Sequence, residues 1–222
     1  MITFAYFFYG SLLGVILWCY IDGFIPRLSK DIWHNFHALF PISPPQSYPQ
    51  LTTKVNPHLL RYCLLDGLLA GLLYQYTDNP IFAAWLLLVF NFLWAISLLD
   101  WQYQLISPNA CLGLLCLGLL GAEWQFSRLS LSQSLYHALI FFALFYCIYQ
   151  FAKYYYRQEA LGRGDYWLAL ALGAYLPLSA LPYFLLIACV SGILTLLLRR
   201  QHYLPFGPFL CGAMLLAWYT NL

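Results

Sequence analysis

The sequence predicts an all-α fold, a polytopic membrane bundle of about eight transmembrane helices. Charged residues make up 8% of the 222-residue chain, apolar residues make up 63%, and the mean hydropathy is +0.70. A soluble domain carries roughly 25% charged residues. A helix needs about 20 apolar residues to cross a bilayer, and apolar stretches close to that length recur along the whole chain. A soluble fold is therefore excluded, because the chain lacks the polar groups to cover its surface.

Eight apolar segments fit as spans in chain order: 2–21, 59–76, 81–99, 109–123, 135–155, 166–176, 183–198 and 206–219. The first segment has no basic flank and no small-residue cleavage site, so we expect it to remain as an anchor rather than be removed as a signal peptide. A polar loop is expected at 22–58, because six prolines interrupt any continuous helix there. The segments 109–123, 166–176 and 206–219 are short, which leaves seven spans as an alternative.

The distribution of Lys and Arg predicts the orientation, because cytoplasmic loops carry the excess of basic residues. Nine of the ten basic residues flank the loops after the first, fifth and seventh spans: Arg27, Lys30, Lys54, Arg61, Lys153, Arg157, Arg163, Arg199 and Arg200. Arg128 alone falls on the other side. We therefore expect both termini outside and the loops after odd-numbered spans in the cytoplasm. The chain divides into an N-terminal membrane region, 1–80, and a six-helix region, 81–222.

Two carboxylates are then predicted to reach the same membrane face. Asp100 ends the third span, and Asp165 lies in a Gly-Arg-Gly-Asp turn that opens the sixth. An acid beside hydrocarbon is costly unless it is paired or hydrated, so each is a functional candidate. Two neighbouring carboxylates share a proton, which lets one act as general base on a water while the other polarises a carbonyl. Gly162 and Gly164 are candidate positioning residues that allow close backbone approach or unusual φ values.

Simpler interpretations stand beside the catalytic one. Asp100 fits an ordinary helix-end residue, and Asp165 fits the N-cap of the sixth span. Asp66, inside the second span, is expected to pair with Arg61.

Other site classes find little support in the sequence. None of the seven cysteines forms a Cys-x-x-Cys pair, and the five histidines show no ligand spacing, so no metal site and no disulfide framework is expected. The net charge of +2, without a basic cluster, argues against a nucleic-acid partner.

Several motifs resemble the type IV prepilin leader peptidases, a family of Gly-x-Gly-Asp membrane aspartic proteases. They are Gly-Arg-Gly-Asp at 162–165, Ser-Leu-Leu-Asp at 97–100, Leu-Pro-Phe-Gly-Pro-Phe at 204–209, Gly-Ser-Leu-Leu at 10–13 and Arg-Tyr-Cys-Leu-Leu-Asp at 61–66. The resemblance is strong from about residue 95 onward. It implies that Asp100 and Asp165 are catalytic, that 81–222 is the catalytic region, and that proteolysis needs no cofactor.

The resemblance also implies a setting. The enzyme would lie in the bacterial cell inner membrane and remove a short basic leader from prepilin or pseudopilin precursors at the cytoplasmic face, for a type IV pilus or for protein secretion. The substrate would have Gly at the cut and then a hydrophobic helix that starts with Phe or a similar residue. Many members then methylate the new N-terminus with S-adenosylmethionine, an activity that this sequence leaves open.

Departures from the family pattern concentrate in the N-terminal half. The stretch 22–58 contains no cysteine, so the tetracysteine zinc motif of many members is absent. Two rivals remain at this point. One is an intramembrane protease of the presenilin type, which is expected to carry a C-terminal Pro-Ala-Leu motif where this chain has Leu204-Pro205-Phe206. The other is a non-enzymatic proton-coupled carrier or assembly subunit that uses the Asp pair as a relay.

Overall fold

A computed structural model describes residues 2–39, 58–77, 79–157, 162–199 and 204–219. These ranges contain no strand and form nine α-helices with one short 3₁₀ turn, Leu178–Ala180, before α8. The helices are α1 (Ile2–Asp22), α2 (Phe24–Leu39), α3 (Leu59–Tyr76), α4 (Pro80–Tyr103), α5 (Pro108–Glu123), α6 (Leu131–Tyr156), α7 (Arg163–Gly173), α8 (Leu181–Arg199) and α9 (Gly207–Tyr219).

The predicted fold class is confirmed, because the described chain is an all-α polytopic membrane protein. All of these helices except α2 coincide, in order, with the eight predicted spans. Four stretches are long and apolar enough to cross a bilayer by length and composition: Thr3–Ile32, Pro80–Tyr103, Leu131–Tyr155 and Leu178–Arg199. Helices α5 and α9 are shorter apolar helices, in keeping with their brevity in the sequence.

Helix α2 lies where the sequence predicts a polar loop, so the prediction is wrong for the first part of 22–58. Its Pro26 falls in the first turn, where a missing N–H costs no helical hydrogen bond. Arg27 stabilises the break after α1, because its guanidinium donates to the carbonyls of Gly23 and Tyr20 at 2.9 and 2.7 Å. The later prolines of that stretch lie outside the described residues.

The chain forms two compact units, Met1–Leu87 and Leu88–Leu222. In the first, α1 and α3 pack closely through glycine. A Cβ atom on Gly14 would lie 2.7 Å from the Tyr62 carbonyl oxygen, and one on Gly10 would clash with the Asp66 backbone. The domain boundary predicted at residue 80 stays a prediction.

Asp66 is buried in the first unit, at 5% exposure. Its Oδ2 atom has no hydrogen-bond partner among the described residues, so the predicted pair with Arg61 is not seen. The reason is helical geometry, because side chains meet at spacings of three or four residues. Asp66 comes five residues after Arg61 in the helix, and Arg61 is exposed whereas Asp66 is buried.

The second unit is built around α7. Every residue from Leu168 to Gly173 is buried in this 11-residue helix, which contacts α5, α6 and α9. A helix that is apolar on all sides belongs in the interior rather than on a surface. Its length of about 16 Å is well short of the ~30 Å hydrocarbon core, so α7 does not cross a bilayer alone.

Buried hydrogen bonds hold the C-terminal end of α7. The Ser134 hydroxyl of α6 donates to the Ala174 carbonyl oxygen at 2.7 Å, and the Tyr175 hydroxyl donates to the Leu114 carbonyl oxygen of α5 at 2.7 Å. Gly173 packs against Phe141, where a Cβ atom would approach to 2.8 Å. The end of α7 is thus fixed against two helices.

Replacing Ser134 with alanine tests this anchor. The Ala174 carbonyl would be left buried without its side-chain donor, which costs about 1–3 kcal/mol. We expect Ser134→Ala to lower the thermal unfolding midpoint of the purified protein in detergent. Ser191→Ala is the control, because the Ser191 hydroxyl bonds only to carbonyls of its own helix, and we expect its effect to stay within about 0.5 kcal/mol. Equal midpoints for the two variants would contradict the anchoring role.

Candidate active site

Asp100 lies in the last turn of α4, which continues to Tyr103 rather than stopping at the acid. Gln104 ends the helix by adopting a left-handed backbone, with φ of 54°. The side chain of Asp100 is only 5% exposed. A carboxylate in so apolar a place needs compensating hydrogen bonds.

Gly207 supplies one such bond from the start of α9. Its backbone N–H donates to Asp100 Oδ2 at 2.8 Å, across 107 residues of sequence. A Cβ atom at position 207 would lie 2.6 Å from that same oxygen. Glycine is therefore required here for space, since any side chain would push the carboxylate away from the amide.

Asp165 lies in the first turn of α7, three residues after Gly162. The Gly162 N–H donates to Asp165 Oδ2 at 3.1 Å, and the Asp165 N–H donates to the Gly162 carbonyl oxygen at 3.1 Å. The N-cap is thus Gly162, and the expectation that Asp165 is the N-cap is wrong. An acid at the third position suits the positive end of the helix dipole as well as this reciprocal bonding.

The two glycines of the turn matter because they leave room for close contacts, and not because they adopt unusual φ values. Gly162 has φ of −65°, which any residue adopts, and no described glycine has a positive φ. A Cβ atom on Gly164 would lie 2.5 Å from the Ile106 Cβ atom, in the connection between α4 and α5. Gly164 therefore lets the start of α7 approach the chain that follows Asp100.

These contacts bring Asp100 and Asp165 together. The charge on Asp100 acts directly on Asp165, which is 6% exposed. Two buried thiols lie near the pair, Cys111 close enough to interact with the charge of Asp165 and Cys211 with that of Asp100. Each carboxylate has its Oδ2 held by a backbone N–H. Such an arrangement can bind a water and take up or release a proton.

A metal centre has no counterpart in the part of the chain that the structure describes. No group of three His, Cys, Asp or Glu side chains is placed there to hold an ion.

Comparison of the sequence with known proteins identifies its family. Residues 81–197 match the model of the type IV leader peptidase family. The chain belongs to the type IV leader peptidase family. The match contains both acids of the pair, while Gly207 lies beyond it.

Similar relatives extend the match over the rest of the chain. The prepilin leader peptidase/N-methyltransferase of Haemophilus influenzae is 46% identical over 226 residues, which cover all of this chain and 98% of that protein. A protein of the same description from Escherichia coli K12 is 34% identical over 64% of this chain and 68% of its own length. The type 4 prepilin-like proteins leader peptide-processing enzyme of Escherichia coli O78:H11 is 28% identical over 90% of this chain and 86% of its own. No solved structure matches significantly.

Sequence reasoning missed how Gly207 and Ile106 contribute to this leader peptidase site. Gly207 lies in the Leu-Pro-Phe-Gly-Pro-Phe stretch that carries part of the family resemblance. Nothing in that stretch indicates that the Gly207 amide reaches Asp100, because the contact joins elements 107 residues apart.

Replacing Gly207 with alanine tests its contact with Asp100. The new Cβ atom would displace the carboxylate from its amide donor. A misplacement of about 1 Å can cost about 100-fold in rate, and we expect Gly207→Ala to lower peptidase activity by about that factor while the protein still accumulates.

Gly192→Ala in α8 is the matched control. Its Cβ atom would meet Phe206 and Phe209 at an ordinary 3.9 Å. Rates of precursor cleavage are compared at equal amounts of folded enzyme. Full activity in Gly207→Ala would show that the contact does not set the position of the acid.

Proposed function

We propose that this protein is a membrane aspartic endopeptidase that removes the leader peptide from type IV prepilin-like precursors. The observation that carries the proposal is the buried pair of Asp100 and Asp165, each held through Oδ2 by the backbone amide of a glycine. The family assignment and the names of the relatives agree with it. Asp100 and Asp165 are the proposed catalytic residues, and Gly162, Gly164 and Gly207 position them.

The pair supplies both halves of a hydrolysis. One carboxylate, ionised, takes a proton from a bound water as the water oxygen bonds to the carbonyl carbon of the scissile peptide. The other, protonated, donates to the carbonyl oxygen. Collapse of the tetrahedral intermediate breaks the C–N bond, and the proton on the base passes to the leaving amine. The backbone amides of Gly162 and Gly207 bind the Oδ2 atoms, and the Oδ1 atom of each acid is the one proposed to meet water or substrate.

The proposed substrate is the precursor that the relatives' names describe, a prepilin or a prepilin-like protein. Its basic leader stays in the cytoplasm while its hydrophobic segment enters the bilayer, which brings the scissile bond to one membrane face. The excess of Lys and Arg assigns the loop after α6, which adjoins Asp165, to the cytoplasm. The loop after α4 adjoins Asp100 and carries no Lys or Arg, but it follows the third predicted span and so falls on the same side. We therefore propose an inner-membrane enzyme whose site opens to the cytoplasm.

Methyl transfer is the second activity in the names of the relatives, and it would draw on S-adenosylmethionine. A cavity of about 330 Å³ in the first unit has an almost wholly apolar lining that includes Phe4, Phe7, Leu68 and Leu72. Such a lining does not fit a molecule that carries a carboxylate, an amine, a sulfonium and an adenine. This cavity therefore offers no cradle for the cosubstrate, and we derive no step through it.

Removal of either acid provides the direct test. We expect Asp100→Ala and Asp165→Ala each to abolish leader removal, because neither carboxylate alone supplies both the base and the acid. The protein is co-expressed with a candidate prepilin, and mass spectrometry of the pilin N-terminus reports the cut site. The same spectrum reveals any added methyl group.

The asparagine variants of both acids and Asp66→Asn complete the design. Asp66 is a matched control because it is also a buried carboxylate but lies in the first unit. Asp66→Asn should leave cleavage at the wild-type level. Full cleavage by either Asp100→Asn or Asp165→Asn would overturn the assignment of the pair.

A further inference from the structure

An apolar groove lies between α4 and α9 in the second unit. Its volume is about 280 Å³, and its walls include Phe90, Trp94 and Leu98 of α4 and Pro208, Gly212 and Leu215 of α9. Leu98, Gly212 and Leu215 are part exposed, so the groove opens at the surface of the protein. It is large enough to take the side chains of one face of a helix, but not a whole helix.

The groove begins at the candidate active site. Pro208 follows Gly207, whose amide binds Asp100, and Leu98 comes two residues before Asp100. This hydrogen bond joins the last turn of α4 to the first residue of α9, so both groove walls lead away from the acid. From Leu98 back to Phe90 the groove follows α4 for about 12 Å, a little over two turns. Its length therefore runs from Asp100 into the apolar part of the helices.

Gly212 differs from the packed glycines of the same unit. A Cβ atom on Gly113, Gly118, Gly173 or Gly207 would come within 3 Å of a neighbouring atom. A Cβ atom on Gly212 would meet nothing within 4 Å. Glycine inside a helix costs about 1 kcal/mol relative to alanine, and no packing among the described residues requires it at 212. A glycine on an open helix face is suited to the close approach of another helix.

We propose that this groove binds the first two turns of the hydrophobic segment that follows the scissile bond of the precursor. The inference rests on the proposed function, and it adds the surface that recognises the substrate. A peptide bond held at Asp100 places the next residues at the mouth of the groove, and an apolar helix that enters the bilayer there continues along it. The apolar walls bury its side chains, and Gly212 admits its backbone.

Filling the groove at Gly212 tests the proposal. Gly212→Leu adds a side chain where the protein itself has room, so the variant should fold. We expect its kcat/KM for precursor cleavage to fall about ten-fold or more, mainly through KM, because the added side chain occupies the space of the substrate. Gly212→Ala should have a smaller effect.

Gly71→Leu is the matched control for this substitution. Gly71 is also a helical glycine whose Cβ atom would meet nothing within 4 Å, and it also borders an apolar cavity, but it lies in the first unit. We expect Gly71→Leu to cleave the precursor at the wild-type rate. A similar loss in both variants would mean that the effect is not specific to the groove between α4 and α9.

Photocrosslinking provides a second measurement that does not need cleavage. A photoreactive benzoylphenylalanine replaces Leu215 in the Asp100→Asn protein, and a matched sample carries it at the exposed Leu186 of α8. We expect the Leu215 probe to capture the precursor through its hydrophobic segment, and the Leu186 probe to capture none. Capture of lipid alone or of a second copy of this chain at Leu215 would overturn the proposal.

The two measurements distinguish failure of the groove proposal from failure of the proposed function. If the wild type cleaves the precursor, but Gly212→Leu cleaves equally well and Leu215 captures no precursor, the groove proposal falls and the peptidase function stands. If the wild type cleaves no precursor but Leu215 captures it, the proposed function falls and the groove is retained as a binding surface.

Discussion

The hydrogen bond from the Gly207 amide to Asp100 Oδ2 joins the end of α4 to the start of α9. It satisfies a carboxylate that is almost wholly buried, and it fixes the point from which the apolar groove between the two helices departs. The absence of a side chain at position 207 is what allows the 2.8 Å approach. The proposed catalytic acid and the proposed substrate groove therefore depend on the same contact.

The short helix α7 sets the position of the second acid. From Leu168 onward its residues are apolar on every side, so α5, α6 and α9 can enclose it, and buried bonds from Ser134 and Tyr175 fix its C-terminal end. Asp165 in its first turn is then held by Gly162 and by the contact of Gly164 with Ile106. A rigid, buried support suits a pair of acids that must stay within reach of one water.

Much of the fold was predictable because a bilayer demands long apolar runs, and such runs are visible in a sequence. The eight predicted spans each became a helix, and the two acids were singled out because so few charges occur in the chain. The sequence pattern does not predict helix α2 because 22–58 holds six prolines. Only Pro26 lies within α2, and it falls in a first turn that tolerates it. The predicted Arg61–Asp66 pair does not form, because a five-residue spacing places the two side chains on different sides of α3.

By itself, the sequence determined the all-α membrane class, the acids at 100 and 165 and the resemblance to the type IV leader peptidases. These features follow from composition, local spacing and short motifs. The tertiary structure alone decided that the Gly207 amide binds Asp100, that Gly164 makes room for Ile106, and that α4 and α9 leave a groove beside Gly212. Each of these depends on helices that are distant in sequence, and no local pattern encodes which atoms of distant helices will touch.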